Sequence, residues 1–341
     1  MSAENGINVQ EIFARIIDEQ RAEKKTTDNS EDDTVYATAA IEALVEVIEK
    51  SRVTTLREVL ELLRRSATEI FFADSCYAKK NSPEKKYGPA SLSPLSVISA
   101  CELFGLFITL SKGALENPDM DKCLEIIRER ARHFLKSLKD GRDRLPQFFL
   151  PTLRNGGTYM TYSLSSTVIR TLSQAAEKDL FITIYVAAGA PHNKGELMAK
   201  QLRQLSAKHR NFITVHVIPD KAVPIEMEKV DGVIVGAESV TSNGGILNHA
   251  GTFNLGLAAA HFKKPVFVLA ESYKFMQMYP IDQSDVPGEL ERYISNRTGT
   301  EIRVEPYTLD YTPPEYISMI YTDAGAFTTA AVSERLLELY I

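Results

Sequence analysis

The sequence predicts an α/β protein in two parts: a helical bundle domain over residues 1–150, then a parallel-sheet domain over residues 151–341. Three observations carry this. Up to about Phe149 the apolar residues recur at helical spacing with no alternating runs. After Pro151, short β-branched runs take turns with helical stretches, the rhythm of a doubly wound, Rossmann-like sheet. And 341 residues exceed what one ordinary core supports.

In the first part, Ile12, Ile16 and Ile17 place an amphipathic helix over residues 7–25, and the acidic run TTDNSEDDT (26–34) interrupts it. Ile41, Leu44, Val45 and Ile48 predict a helix over 35–50. Thr54 or Thr55 can cap the next helix, which carries Val59, Leu60, Leu63 and Ile70 on one face and Arg57, Arg64 and Arg65 on the other. A charged helix face is most simply a solvated one. Residues 79–94, with their prolines and lysines, read as a surface loop, and helices resume over 95–110 and 119–139.

In the second part, strands are expected at 159–162, 181–186, 213–218, 232–236, 266–270 and 316–321. Helices are expected at 163–177, 194–209, 223–229, 251–262 and 330–339. The most informative stretch is 230–275. A buried apolar run ends at Gly236, a polar loop carries Asn243-Gly244-Gly245, a helix follows from Gly251, and Val266 opens another buried run. Ligands of such sheets settle at the carboxyl ends of strands beside helix N-termini. Glycine N–H groups and the helix dipole together suit an anion. The simpler reading of Asn-Gly-Gly is a tight turn.

Composition excludes several classes. Net charge is −6, with 44% hydrophobic and 25% charged residues, so the chain has no electrostatic footprint for nucleic acid. The start MSAENGINVQEIF has neither the basic nor the apolar region of a signal peptide, and the longest apolar run, 103–110, is too short for a bilayer. A cytoplasmic location is expected. Cys76, Cys101 and Cys123 lack CxxC spacing and read as reduced thiols, and the six histidines show no metal-ligand spacing. Neither a Walker A sequence nor GxGxxG is present.

Glu238, Asn243-Gly244-Gly245-Ile246, Asn248, Gly251-Thr252 and Ala270-Glu271-Ser272-Tyr273-Lys274-Phe275 resemble the signature of the regulatory subunits of translation initiation factor 2B. That complex is the guanine-nucleotide exchange factor for translation initiation factor 2. Tyr321-Thr322-Asp323 and Val332-Ser333-Glu334-Arg335-Leu336 resemble the same family's C-terminus, and the resemblance spans roughly residues 35–341. Within the family the chain is most similar to the alpha type, being short and without the long N-terminal extension expected of delta. The fold also resembles that of methylthioribose-1-phosphate and ribose-1,5-bisphosphate isomerases. Those enzymes carry a cysteine in Thr-His-Cys-Asn and an aspartate in Gly-Ala-Asp-Arg; here the matching positions read Thr161-Tyr162-Ser163-Leu164 and Gly236-Ala237-Glu238-Ser239. A serine hydroxyl is far too weak an acid for the thiol's proton work without an adjacent base. Glu238 displaces the carboxylate by about 1 Å, an error that can cost on the order of 100-fold. The isomerases' Glu-Thr-Arg-Pro segment is matched by Ala188-Gly189-Ala190-Pro191, which has no arginine.

The resemblance implies a non-catalytic regulatory subunit with no catalytic residue, metal or resident cofactor. It implies a homodimer bridging a complex with beta, gamma, delta and epsilon subunits, and recognition of factor 2 through its phosphorylated alpha subunit. A phosphoserine segment needs cationic surface, and Thr54, Thr55, Arg57 and Arg64 are the candidates. A phosphate or sugar phosphate is the expected pocket ligand, lined by Ser163, Glu238, Asn243, Gly244, Gly245, Asn248, Gly251, Thr252 and Lys274. Two alternatives stand beside this: a sugar-phosphate isomerase with a Ser163/Glu238 pair, and a free-standing sugar-phosphate sensor.

Overall fold

The computed structural model describes residues 8–24, 33–51, 53, 55–81, 94–109, 120–190, 192–210, 212–286 and 309–334. The chain divides into a helical unit (Met1–Arg142, Tyr273–Met276 and Glu334–Ile341) and a sheet unit (Asp143–Ser272 and Gln277–Ser333).

The helical unit contains helices Val9–Lys24, Asp33–Lys50, Leu56–Asn81 and Pro94–Thr109, and the greater part of Met120–Phe149. Of the positions the periodicity selects, Ile12, Ile16, Ile17, Ile41, Leu44, Val45, Ile48, Val59, Leu63 and Ile70 are buried and Leu60 is half-buried, while Phe13 and Phe104 add to the core. Thr55 caps the third helix. Its hydroxyl accepts from the Glu58 N–H at 3.2 Å while the Glu58 carboxylate accepts from the Thr55 N–H at 3.2 Å, a reciprocal capping box. Cys101 and Cys123 are buried, and burial pushes the Cys101 thiol up to about 12.

Along the chain the strands are β1 (Gly157–Tyr162), β2 (Ile182–Ala187), β3 (Ile213–Ile218), β4 (Gly232–Gly236), β5 (Ser239–Thr241), β6 (Ile246–His249), β7 (Val266–Leu269), β8 (Phe275–Met276), β9 (Leu309–Thr312), β10 (Met319–Thr322) and β11 (Gly325–Phe327). The main sheet runs β11-β10-β7-β4-β1-β2-β3, parallel throughout except for the β10–β11 hairpin. Helices Ser166–Glu177, Lys194–Lys208 and Thr252–His261 are its long connections. Val168, Leu172, Ile184, Val186, Met198 and Leu202 pack together without exposure, as strands covered on both faces require. The β3 edge is shielded: Ser206 Oγ donates to Ile213 O (2.7 Å) and accepts from its N–H (3.1 Å), and Arg203 donates to Val215 O (3.1 Å).

Several expectations need correction. The division falls after Arg142, inside helix Met120–Phe149, and not at residue 150. The helix expected over 119–139 continues to Phe149, past Gly141 and Pro146, because Leu145 and Phe149, one turn apart, are buried in the sheet unit's core. The first helix of the sheet unit begins at Ser166 instead of 163, with Ser165 as its N-cap. Residues 238–248, read as a loop, hold the β5–β6 hairpin, and β6 also pairs antiparallel with β9. The strand expected at 316–321 starts at Met319, after a 3-10 turn over Pro314–Tyr316. The helix expected over 330–339 begins in a 3-10 turn at Thr329–Ala331, and its end lies outside the described residues, as do residues 82–93 of the expected loop.

Candidate functional site

Strand order reverses at β1, which lies between β2 and β4. A crevice at the carboxyl ends of these strands is where open α/β sheets bind ligands. Ser163 follows β1 directly and Glu238 follows β4 by one residue, so the sheet brings the ends that carry both positions to neighbouring places. Both are buried, at 2% and 5% exposure.

The local sequence explains how Ser163 is held. Its φ is 55°, the left-handed region that a non-glycine residue enters only at some cost. This reversal turns the chain from strand into helix. Ser163 N–H donates to Ala187 O at 3.3 Å, and Ser165 Oγ accepts from Val168 N–H at 3.4 Å to cap the helix. Small residues clear the space: a Cβ at Gly189 would sit 3.2 Å from Ser163 Oγ, and one at Gly236 would collide with the Ser165 hydroxyl. Below Ser163, the Thr161 hydroxyl is buried with no hydrogen-bond partner among the described residues.

A polar chain crosses the same crevice. His249, closing β6, has Nδ1 3.9 Å from Glu238 Oε1 and Nε2 3.1 Å from Lys194 Nζ. The neutral tautomer that accepts from Lys194 carries its proton on the Glu238 side. Lys194 opens helix Lys194–Lys208 after Asn193, itself left-handed at φ 51°. Burial first, then the charge of Lys194, pulls the His192 imidazole down.

Two carboxylates fill backbone cradles around this chain. Asp220 accepts from the N–H groups of Gly189 (2.8 Å) and Ala190 (2.7 Å). Asp310 Oδ2 accepts from those of Gly251 (2.6 Å) and Phe253 (3.0 Å), which caps helix Thr252–His261. Tyr162 donates its phenol proton to Ala250 O at 2.6 Å. Burial, then Asp220 and Asp310, push that phenol well above its ordinary range.

Asn243-Gly244-Gly245 is the turn of the β5–β6 hairpin, and its groups are spent internally. Gly244 N–H donates to Thr241 O (2.9 Å), Gly245 N–H to Asn243 Oδ1 (3.2 Å), and Asn243 Nδ2 to Pro280 O (3.0 Å) and the Tyr311 hydroxyl (2.8 Å). The expected N–H cradle there is occupied by the chain itself, as is the helix N-terminus at Gly251. Asn248 donates to Thr252 Oγ1 (3.1 Å), which donates to His249 O (2.7 Å), so these two order the β6–helix corner. Lys274 is buried but belongs to the helical unit. Of the cationic candidates, Arg57 and Arg64 are exposed on the third helix of that unit, Thr55 is exposed at its cap, and Thr54 lies outside the described residues. Sequence reading misses Lys194, Asp220 and Asp310; each looks like an ordinary helix-start, loop or strand residue until the fold assembles it.

Among the described residues no group of His, Cys, Asp and Glu is placed to hold a metal ion, and no helix is long and apolar enough to cross a membrane.

The chain has relatives among known proteins that fix its family and agree with its fold. The model of the Initiation factor 2 subunit family matches residues 85–329. The chain is 30% identical over 304 residues to translation initiation factor eIF2B subunit alpha of Caenorhabditis elegans, covering 89% of this chain and 92% of that protein. It is 27% identical over 309 residues to ribose 1,5-bisphosphate isomerase of Archaeoglobus fulgidus, covering 87% and 94%. The fold matches a chain of the tetrameric eIF2B-beta2-delta2 complex from C. thermophilum with a TM-score of 0.70 at 19% identity, over 98% and 97% of the two chains. A parallel sheet with its switch point at β1, a helical N-terminal part and a sequence match over most of the length identify this chain as a member of the Initiation factor 2 subunit family.

Proposed function

We propose that this protein is a non-catalytic regulatory subunit of the guanine-nucleotide exchange factor for translation initiation factor 2. The observation that carries the reading is 30% identity over 89% of this chain to an eIF2B subunit alpha. The chemistry supports it: Ser163 and Glu238 stand where the resemblance places the isomerases' cysteine and aspartate, and neither substitute suits the same proton work. In this reading the chain forms a homodimer, joins the beta, gamma, delta and epsilon subunits in the cytoplasm, and recognises factor 2 through its phosphorylated alpha subunit. The exposed Arg57 and Arg64 beside Thr55 suit a phosphoserine segment.

Affinity purification of the tagged chain from its own cells tests this: the four other subunits are expected to co-purify, without isomerase activity in the eluate. A chain that sediments as a monomer at micromolar concentration contradicts the homodimer. Charge reversal at Arg57 and Arg64 that leaves affinity for the phosphorylated partner unchanged removes that assignment.

A second reading is favoured by the Lys194–His249 contact and the buried Glu238 next to it, polar groups gathered at the carboxyl ends of the strands. A phosphorylated small metabolite, sugar phosphate above all, would occupy it, as ligand of the regulatory subunit or as substrate of an isomerase built on Ser163 and Glu238. Turnover of ribose 1,5-bisphosphate by the purified chain, lost in Ser163→Ala, would favour the enzyme.

A further inference from the structure

We propose that residues 277–285 form a docking surface for a different protein, one that offers an apolar pocket rimmed by Lys or Arg. This rests on the reading of the chain as a regulatory subunit, and there the partner is one of the other four subunits of the exchange factor.

The stretch carries bare apolar side chains. Ile281, 89% exposed, is the most exposed large apolar residue among the described ones, and Tyr279 is 66% exposed. A single exposed isoleucine needs no explanation. Here two large apolar side chains flank one buried residue, Pro280.

The same stretch is held firmly in place. Ser242 N–H donates to Met278 O (2.9 Å), and Asn243 Nδ2 donates to Pro280 O (3.0 Å). The Gln283 side-chain amide donates to Tyr311 O (2.6 Å) and accepts from Tyr311 N–H (2.8 Å). Asp285 Oδ2 accepts from Ile281 N–H (2.7 Å). A loose loop would let Tyr279 and Ile281 fold back onto apolar surface, whereas this one keeps them in water, a cost that contact with a partner removes. A loop already ordered loses little further freedom on binding, and a few large anchors supply most of an interface's energy.

Charge selects the partner. Residues 277–286 include Asp282 and Asp285 and no Lys, Arg or His, and both carboxylates are exposed. Complementarity therefore asks for a basic rim around the receiving pocket. A second copy fits poorly: an isologous contact would set these acids against their own twins, on a chain of net charge −6.

Biolayer interferometry of the full chain against a purified complex of the beta, gamma, delta and epsilon subunits tests this. Wild type is compared with Tyr279→Ser, Ile281→Ser and Asp282→Asn, which keeps a capping side chain but drops its charge. Ile225→Ser, at a 68% exposed isoleucine on helix Val223–Met227, is the control. Melting curves check that each variant folds, and sedimentation reads its self-association. The two serine variants of the loop should bind about tenfold or more weakly, Asp282→Asn somewhat more weakly and with a shallower salt dependence, and Ile225→Ser like wild type. Unchanged affinity in both loop variants, or an equal loss in Ile225→Ser, overturns the docking surface and leaves the subunit reading standing. Loop variants that are monomeric where wild type is dimeric would assign the surface to self-association and overturn it as well. Wild type that fails to bind the complex overturns both.

Discussion

Asp310 Oδ2 lies 2.6 Å from the amide nitrogen of Gly251, so the N-cap of helix Thr252–His261 is delivered by strand β9, distant in sequence. The same oxygen takes the Phe253 N–H at 3.0 Å. Asp310→Ala should cost about 1–2 kcal/mol, the usual value of a lost cap, and Asp310→Asn less. Urea denaturation checks this, and an alanine variant as stable as wild type would show the cap to be idle.

Gly251 is fixed by two independent constraints. Its φ is 113°, and a Cβ there would meet the Tyr162 ring. Gly251→Ala should cost roughly 2–4 kcal/mol from backbone strain and crowding together. In the double variant Tyr162→Ala, Gly251→Ala, the crowding part should vanish and the strain remain. Full additivity of the two single losses would refute the steric account.

Tyr162 predicts a specific alkaline behaviour. Its folded phenol is held above the ordinary value of about 10 by burial first and by Asp220 and Asp310 next. Above about pH 10 the unfolded chain releases that proton while the folded chain keeps it, so stability falls as pH rises through this range. Tyr162→Phe should flatten that fall. At neutral pH it should cost about 1 kcal/mol, because the Ala250 carbonyl loses its donor. Melting curves from about pH 8 to about pH 11, which bracket the titration of the unfolded phenol, decide it.

Ser206 should matter more than an edge position usually does. Its hydroxyl serves both backbone groups of Ile213, and Ser206→Ala leaves the N–H and the carbonyl without it. A loss of about 1–3 kcal/mol and faster hydrogen exchange at the Ile213 amide are expected. Exchange at Ile213 that stays at the wild-type rate would show that something else guards the edge.

The main architecture is legible in the sequence because long elements leave periodic marks. Ile41, Leu44 and Ile48 announce a helix, and the run at 232–236 announces a buried strand. The hairpin is less visible. Asn243-Gly244 is a strong turn signal, yet β5 and β6 are three and four residues long, and β6 is completed by β9 from far along the chain. The site divides in the same way. Ser163 and Glu238 stand out by their position after strands. Lys194 and Asp310 do not, because their roles depend on His249 and Gly251, which the fold alone brings to them.

The left-handed turn at Ser163 has a chemical corollary. That conformation costs roughly 1–2 kcal/mol for any side chain but glycine's, and it persists here under a hydroxyl. Cysteine differs from serine by sulfur in place of oxygen, so the same bend could present a thiol with no change of backbone. Ser163→Cys would therefore put a thiol on that bend by changing one atom, while Glu238 and the arginine missing at Ala190 would still separate this scaffold from the isomerase pattern.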